Sequence, residues 1–157
     1  MISQTTEYAL RAMVFLAERE GHPHAAQEIA QATHVPAGYL SKVLQSLVRA
    51  NLLISQRGLG GGFSLSRSKS EISIYEVVQA VDPIRRIRSC PLELVAHGTN
   101  LCPLHRRLDN ALALVEDSFK NSTLAEILDT PGSSRPLCPF PRVAAKDETA
   151  DSVGAKK

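Results

Sequence analysis

Across residues 29–70 the chain carries no aspartate and no glutamate, while Lys42, Arg49, Arg57, Arg67 and Lys69 place five fixed positive charges there. The formal net charge of the whole chain is only +2. An acid-free basic stretch inside a nearly balanced chain points to a polyanionic partner for one face of the molecule. Long apolar runs are missing as well. The strongest near the start, residues 12–17, is far below the ~20 residues that a membrane-spanning helix needs. No secretory signal is visible, and a cytoplasmic chain with no membrane partner is the expectation. Cysteine is scarce. The three present are an odd number, which argues against a disulfide framework and leaves them free, metal-bound or redox-active. No nucleophile–base pair and no paired carboxylates occur at a recognisable spacing, so catalysis is not expected.

What is present reads as an ordinary folded domain. Hydrophobic content of 43% and charged content of 22% over 157 residues suit one core with room for an appendage. Residues 3–19 form the first expected helix, with Ser3 as N-cap and Gly21-His22-Pro23 as terminator. Tyr8, Ala9, Ala12, Met13, Leu16 and Ala17 make its apolar face; Leu10, Val14 and Phe15 widen that face, so two sides should be covered, one by the helix-turn-helix and the other most simply by a partner subunit. A second helix is expected over residues 26–33. The third begins at Pro36 or Ala37, since proline suits a first-turn position. Its Leu40, Val43, Leu44, Leu47 and Val48 recur at helical spacing toward the core. Gly38, Tyr39, Ser41, Lys42, Gln45, Ser46 and Arg49 are left on or beside the outer face, where small and hydrogen-bonding side chains suit phosphates and base edges.

Two short strands, 53–56 and 63–66, enclose a glycine-rich tip, and Arg57 stands at its base, placed to enter a neighbouring groove. The glycines permit the positive-φ backbone of a tight tip. A loop between two strands, rather than between a strand and a helix N-terminus, is not a nucleotide-phosphate cradle. Helix, turn, helix and basic hairpin together make a winged helix, which places a helix in the DNA major groove. The candidate DNA-binding residues are Tyr39, Ser41, Lys42, Gln45, Arg49, Arg57, Gly58 and Gly60.

Ser73-Ile74-Tyr75-Glu76 is a capping box, opening a helix that carries Val77, Val78 and Val81 and stops before Pro83. A long helix follows from near Pro103 to about Lys120. Its Leu104, Leu108, Ala111, Leu112, Val115 and Phe119 alternate steps of three and four. It spans about 27 Å, more than a small winged domain can bury, so a homodimer interface is expected. Two-fold symmetry also doubles the few base pairs that one recognition helix can read. A short closing helix, 124–128, is capped by Ser122 or Thr123, and a mobile tail rich in proline follows. The expected fold is mainly α: a winged helix-turn-helix domain with a two-stranded wing (1–82), a loop that is a candidate metal- or cluster-binding site (83–102), a long dimerisation helix with the closing helix (103–129) and the tail (130–157).

Cys90 and Cys102 flank a loop containing Glu93, His97 and Gly98, and His105 follows Cys102 by three residues. Two thiolates and an imidazole beside a helix start could hold a metal. Thiolates favour zinc or an iron–sulfur cluster, and histidine can replace cysteine on an iron. The helix N-terminus and Arg86, Arg88, Arg106 and Arg107 would help keep the thiols deprotonated. The alternative is two unconnected thiols and two surface histidines.

Four motifs together carry a family resemblance: Glu7-Tyr8-Ala9-Leu10-Arg11, Tyr39-Leu40-Ser41-Lys42-Val43-Leu44, Arg57-Gly58-Leu59-Gly60-Gly61-Gly62-Phe63, and the loop from Cys90 to His105. Over roughly residues 1–128 the chain resembles the IscR/NsrR family of bacterial winged-helix regulators. The resemblance implies a homodimer in which a long helix crosses the partner, acting on double-stranded promoter DNA. In many members it also implies an iron–sulfur cluster that reports on iron, nitric oxide or redox state. The family's ligand loop spaces three cysteines by five residues. Aligned without a gap, the first is Cys90, the third Cys102, and a following histidine is His105; the middle position is Ala96, which cannot ligate. Some relatives take an acidic ligand from the first helix of the other subunit, and Glu7 stands at that position. The implied cofactor is a 2Fe–2S cluster on Cys90, Cys102 and two of His105, Glu7 and His97. Glu7 could equally stabilise its own helix as a first-turn acid. Cys138 falls in the tail, outside the matched region. Two other readings stay open: a cluster-free regulator answering to a partner protein, a thiol metabolite or cysteine oxidation, and a winged-helix interaction or electron-transfer module.

Overall fold

Serine at position 3 sets the start of the chain's central element. In the computed structural model, which describes residues 2–90 and 100–131, the Ser3 side chain accepts the Thr6 N–H at 3.2 Å and opens α1 (Gln4–Glu18). An N-cap of this kind stabilises a helix by about 1 kcal/mol. From Ala12 to Ala17 α1 is buried all round, with Met13, Val14, Phe15, Leu16 and Ala17 in the core. The two-sided burial expected of this helix is met within one chain, because α2 (Ala26–Thr33), α3 (Ala37–Arg49), α4 (Ile74–Val81) and α6 (Leu124–Asp129) all pack against it.

The turn between α2 and α3 rests on two residues. His34 adopts a left-handed φ of 54° and its N–H returns to the Ala30 carbonyl. Pro36 then sits at the N-cap of α3, where it lacks a donor that would have gone unpaired. On α3 the apolar period buries Leu40, Val43, Leu44 and Leu47 against α1 and α2.

Strands β1 (Leu53–Gln56) and β2 (Gly62–Leu65) are antiparallel, with Leu53 opposite Leu65 and Gln56 opposite Gly62. The second strand begins one residue before the expected start, because Gly62 pairs with Gln56. The wing also has a third attachment. His24 and Phe63 exchange backbone hydrogen bonds of 2.9 and 2.8 Å, which ties the wing base to the segment before α2. The buried His24 ring lies 3.0 Å from the Arg19 carbonyl and 2.9 Å from the Glu28 carboxylate. Glycine is required at position 62, where a Cβ would fall 2.3 Å from the His24 carbonyl oxygen.

Ser73 and Glu76 form the reciprocal capping box of α4. After α5 (Pro103–Lys120) the chain returns to this same point. Ile74 N–H bonds the Ser122 carbonyl at 2.9 Å and Leu124 N–H bonds the Ile72 carbonyl at 3.0 Å, so Leu124 is fully buried in the core. Thr123, not Ser122, caps α6. By contrast α5 has no fully buried residue. Its Phe119 packs on the core, while Leu104, Leu108, Leu114 and Val115 are exposed. Among the described residues no helix is long and apolar enough to cross a membrane.

Candidate nucleic-acid interface and cysteine site

The outer face of α3 and the wing both belong to the acid-free stretch of residues 29–70. Gly38, Tyr39, Ser41, Lys42, Gln45 and Arg49 are exposed on α3, and so are Arg57, Gly58 and Gly60 on the wing. The five cations of residues 29–70 divide into two groups. Arg67 pairs with Glu76 at 2.5 Å, and Lys69 lies 3.8 Å from Glu20. Those pairs draw acids from outside the stretch. Burial pushes the Glu76 carboxyl up, but hydrogen bonds from Ser73 and Arg67 outweigh it and hold the group below its ordinary range. Among the described residues no acid pairs with Lys42, Arg49 or Arg57. Arg49 donates to the Ser46 hydroxyl at 2.9 Å, and Ser41 donates back to the Ala37 carbonyl at 3.0 Å. Such a surface can accept phosphates without first breaking ion pairs.

The cysteine site is built at the start of α5. Cys102 is the N-cap, Pro103 follows at the first helical position, and the Cys102 sulfur lies 3.3 Å from His105 Nδ1. One helical turn thus brings a thiol and an imidazole together. Cys90 is buried, and both cysteines are free thiols. Glu7 is on the exposed side of α1, where its carboxylate accepts from Arg11 Nε at 2.9 Å. Among the described residues, no group of three histidine, cysteine or acidic side chains converges as a metal site. Glu7 therefore does not join Cys102 and His105 within one chain. His97, Ala96 and Glu93, and Cys138 in the tail, lie outside the described residues. The donor chemistry of Cys102 and His105 fits one edge of a metal centre, and further donors would have to complete it.

Residues 2–130 match the Rrf2 family, described as iron-dependent transcriptional regulator. The chain is a member of the Rrf2 family of transcriptional regulators. A relative in Aquifex aeolicus, described as an HTH-type transcriptional regulator, is 26% identical over 132 residues, covering 82% of this chain and 92% of its own. The fold is that of CymR (YrzC), the global cysteine regulator of B. subtilis, with a TM-score of 0.67 at 24% identity over 81% of this chain and 95% of that one. T. potens IscR matches with a TM-score of 0.68 at 22% identity, covering 82% of this chain and 85% of that one.

In this Rrf2 regulator the segment leading to Cys90 is clamped to α5. Arg86 forks onto Asp109 through two contacts of 2.7 Å, the Ile87 N–H adds a third at 2.8 Å, and Arg86 also reaches Glu116 at 3.4 Å. Lys120 closes the ladder on Glu116 at 2.7 Å and lies 4.8 Å from the centre of the Tyr75 ring on α4. The Arg86 fork comes first in holding the Asp109 carboxyl below its ordinary range. Arg86 figured in the sequence only as a charge near the thiols. Its acidic partner lies 23 residues away, and no local spacing announces it. Leu59 is exposed at the wing tip. The signal for Leu59 was a large apolar residue set alone among the wing glycines.

Proposed function

We propose that this Rrf2 regulator acts as a homodimer on double-stranded promoter DNA, with Tyr39, Ser41, Lys42, Gln45 and Arg49 of α3 in the major groove. Arg57, Gly58 and Gly60 of the wing enter the adjacent minor groove. The observation that carries this reading is the division of cations just described: among the described residues Lys42, Arg49 and Arg57 are exposed with no acid paired to them, while Arg67 and Lys69 are held by acids. The long α5 supplies the dimer contact, since its Leu104, Leu108, Leu114 and Val115 are exposed in the single chain. The test is binding to duplex DNA at several salt concentrations. Lys42→Ala and Arg57→Ala should each lower the slope of log affinity against log salt by about one phosphate contact. Unchanged slopes would remove those residues from the interface.

The regulatory signal is read at the cysteine site. A 2Fe–2S cluster would be held by Cys90, Cys102 and His105, completed by His97 or by Glu7 of the partner subunit. Such a cluster, when bound, supplies a redox-active centre that oxygen or nitric oxide can attack. The protein's part is to hold Cys102 at the α5 N-terminus and, through the Arg86–Asp109 clamp, to join the segment leading to Cys90 to α5. Cluster binding or loss would then shift the spacing of the two recognition helices. Protein purified without oxygen should be coloured and contain iron and sulfide, and Cys90→Ala should lose both.

A cluster-free reading is favoured by one observation: only Cys102 and His105 are brought together among the described donors. In that case Cys102 would respond directly to thiol metabolites or oxidation. Iron-free protein whose DNA affinity changes on oxidation, and not in Cys102→Ser, would select this reading.

A further inference from the structure

Among the described residues the most exposed large apolar side chain is at the wing tip. Leu59 is 111% exposed, more than in an extended reference peptide. The geometry that holds it there is specific. The Gly61 N–H donates to the Gly58 carbonyl at 3.0 Å, closing a four-residue turn with Leu59 and Gly60 at its centre. Gly60 has a φ of +75°, as the second central residue of a type II turn requires. Leu59 therefore occupies the first central position and projects from the tip. Its neighbours on both sides are glycines, so the tip is thin. Arg57 stands two residues away, and residues 29–70 contain no acid.

An apolar side chain held outward on a shaped turn is expensive in water and gains only when something covers it. At the tip the flanking residues are glycines, and the wing's other exposed large apolar residue, Ile54, lies in β1 opposite Ser64 rather than at the tip. The wing offers a narrow, basic tip, dimensioned for a groove about 6 Å wide. Apolar side chains that enter the minor groove pack against the sugars and can open a base step, with bending as the result.

We propose that Leu59 is a DNA-contacting, specificity-determining residue: an apolar wedge carried by the wing into the minor groove, where it favours easily opened pyrimidine–purine steps. This rests on the DNA-interface reading above. It differs from the role of Arg57, which is electrostatic and reads groove potential.

The experiment uses the full chain and a duplex selected by the wild-type protein from a random-sequence pool. Affinity, its salt slope and the DNA bend, followed by energy transfer between the duplex ends, are measured for wild type, Leu59→Ala and Arg57→Ala. Leu59→Ala should bind roughly tenfold or more weakly, bend the duplex less, keep the wild-type salt slope and melt at the wild-type temperature. Arg57→Ala should instead lower the slope. A Leu59→Ala protein that binds and bends like wild type would overturn the wedge while leaving the interface standing. A wild-type protein that selects no duplex would overturn the interface reading and the wedge with it. If Leu59→Ala changes self-association in sedimentation but not DNA affinity, the tip covers protein rather than DNA, and the wedge is wrong.

Discussion

The Thr5 hydroxyl of α1 lies 2.5 Å from the Tyr39 hydroxyl of α3, and the Tyr8 ring meets the Tyr39 ring edge-on at 5.5 Å. Gln4 in turn donates to the Tyr8 hydroxyl at 2.8 Å. The start of α1 thus fixes Tyr39, which is 41% exposed near the N-terminal end of α3. Thr5→Val should cost little stability, about 1 kcal/mol or less for one part-exposed hydrogen bond. It should nonetheless weaken DNA binding several-fold by freeing the Tyr39 ring. Thr5→Val and Tyr39→Phe combined should weaken it no more than either alone. Additive losses in that cycle would show that Thr5 acts independently of Tyr39.

Gly62 and Gly58 both have positive φ, yet substitution should affect them differently. At Gly62 a Cβ meets the His24 carbonyl oxygen at 2.3 Å and the carbonyl carbon at 2.5 Å, both backbone atoms that cannot swing aside. At Gly58 nothing lies within 4 Å. Gly58→Ala should cost only backbone strain, on the order of 1 kcal/mol. Gly62→Ala must part the His24–Phe63 pairing and should cost roughly 2–3 kcal/mol or more. Chemical denaturation of the two variants gives the comparison directly, and equal losses would mean that the pairing does not anchor the wing.

The acid limb of stability should report on the clamp. Arg86 comes first in lowering the Asp109 carboxyl, against the opposing effect of burial; the Ile87 N–H adds to it. Lys120 comes first in lowering Glu116, again against burial, with Tyr75 and Arg86 assisting. A carboxyl held lower in the folded state than in the unfolded chain stabilises the fold above its unfolded value, about 3.9–4.3. That stability is lost as pH falls through the lowered folded values. Melting temperature should therefore be flat near neutrality and fall below about pH 4. Asp109→Asn should start lower at neutral pH and fall less steeply in acid. If both proteins lose stability in parallel as pH drops, Asp109 does not carry the linkage.

Most of the architecture was legible because its signals are local. Ser3 and the Ser73/Glu76 box mark helix starts, Pro36 and Pro103 sit where a first turn tolerates them, and α3 buries the residues its period selects. Contacts between distant segments were not legible. The His24–Phe63 pairing ties the wing to the segment before α2 by an isolated antiparallel bridge, and backbone pairing leaves no mark on a buried histidine's identity. The stripe on α5 was read as one apolar surface, but the fold divides it. Phe119 faces the core, while Leu104, Leu108 and Val115 remain outside. Only a packed structure separates those roles, since both halves obey the same spacing.

That division sets the last expectation. Leu108 is 48% exposed near the middle of the outward stripe, between the 63%-exposed Leu104 and the 42%-exposed Val115. A charge there has no core contact to disturb in the single chain. Leu108→Glu should leave the melting of the winged body nearly unchanged when measured on the monomer, yet place a desolvated carboxylate at the centre of any two-fold contact along α5. Sedimentation should show the variant as a monomer where the wild type is a dimer. Binding to a two-half-site duplex should fall by roughly a hundredfold or more, because the second half-site no longer contributes through linkage, while binding to a single half-site should be unaltered. Phe119→Glu is the contrasting case, since it attacks the packed half and should unfold the body. A Leu108→Glu protein that remains dimeric would move the proposed interface off this face of α5.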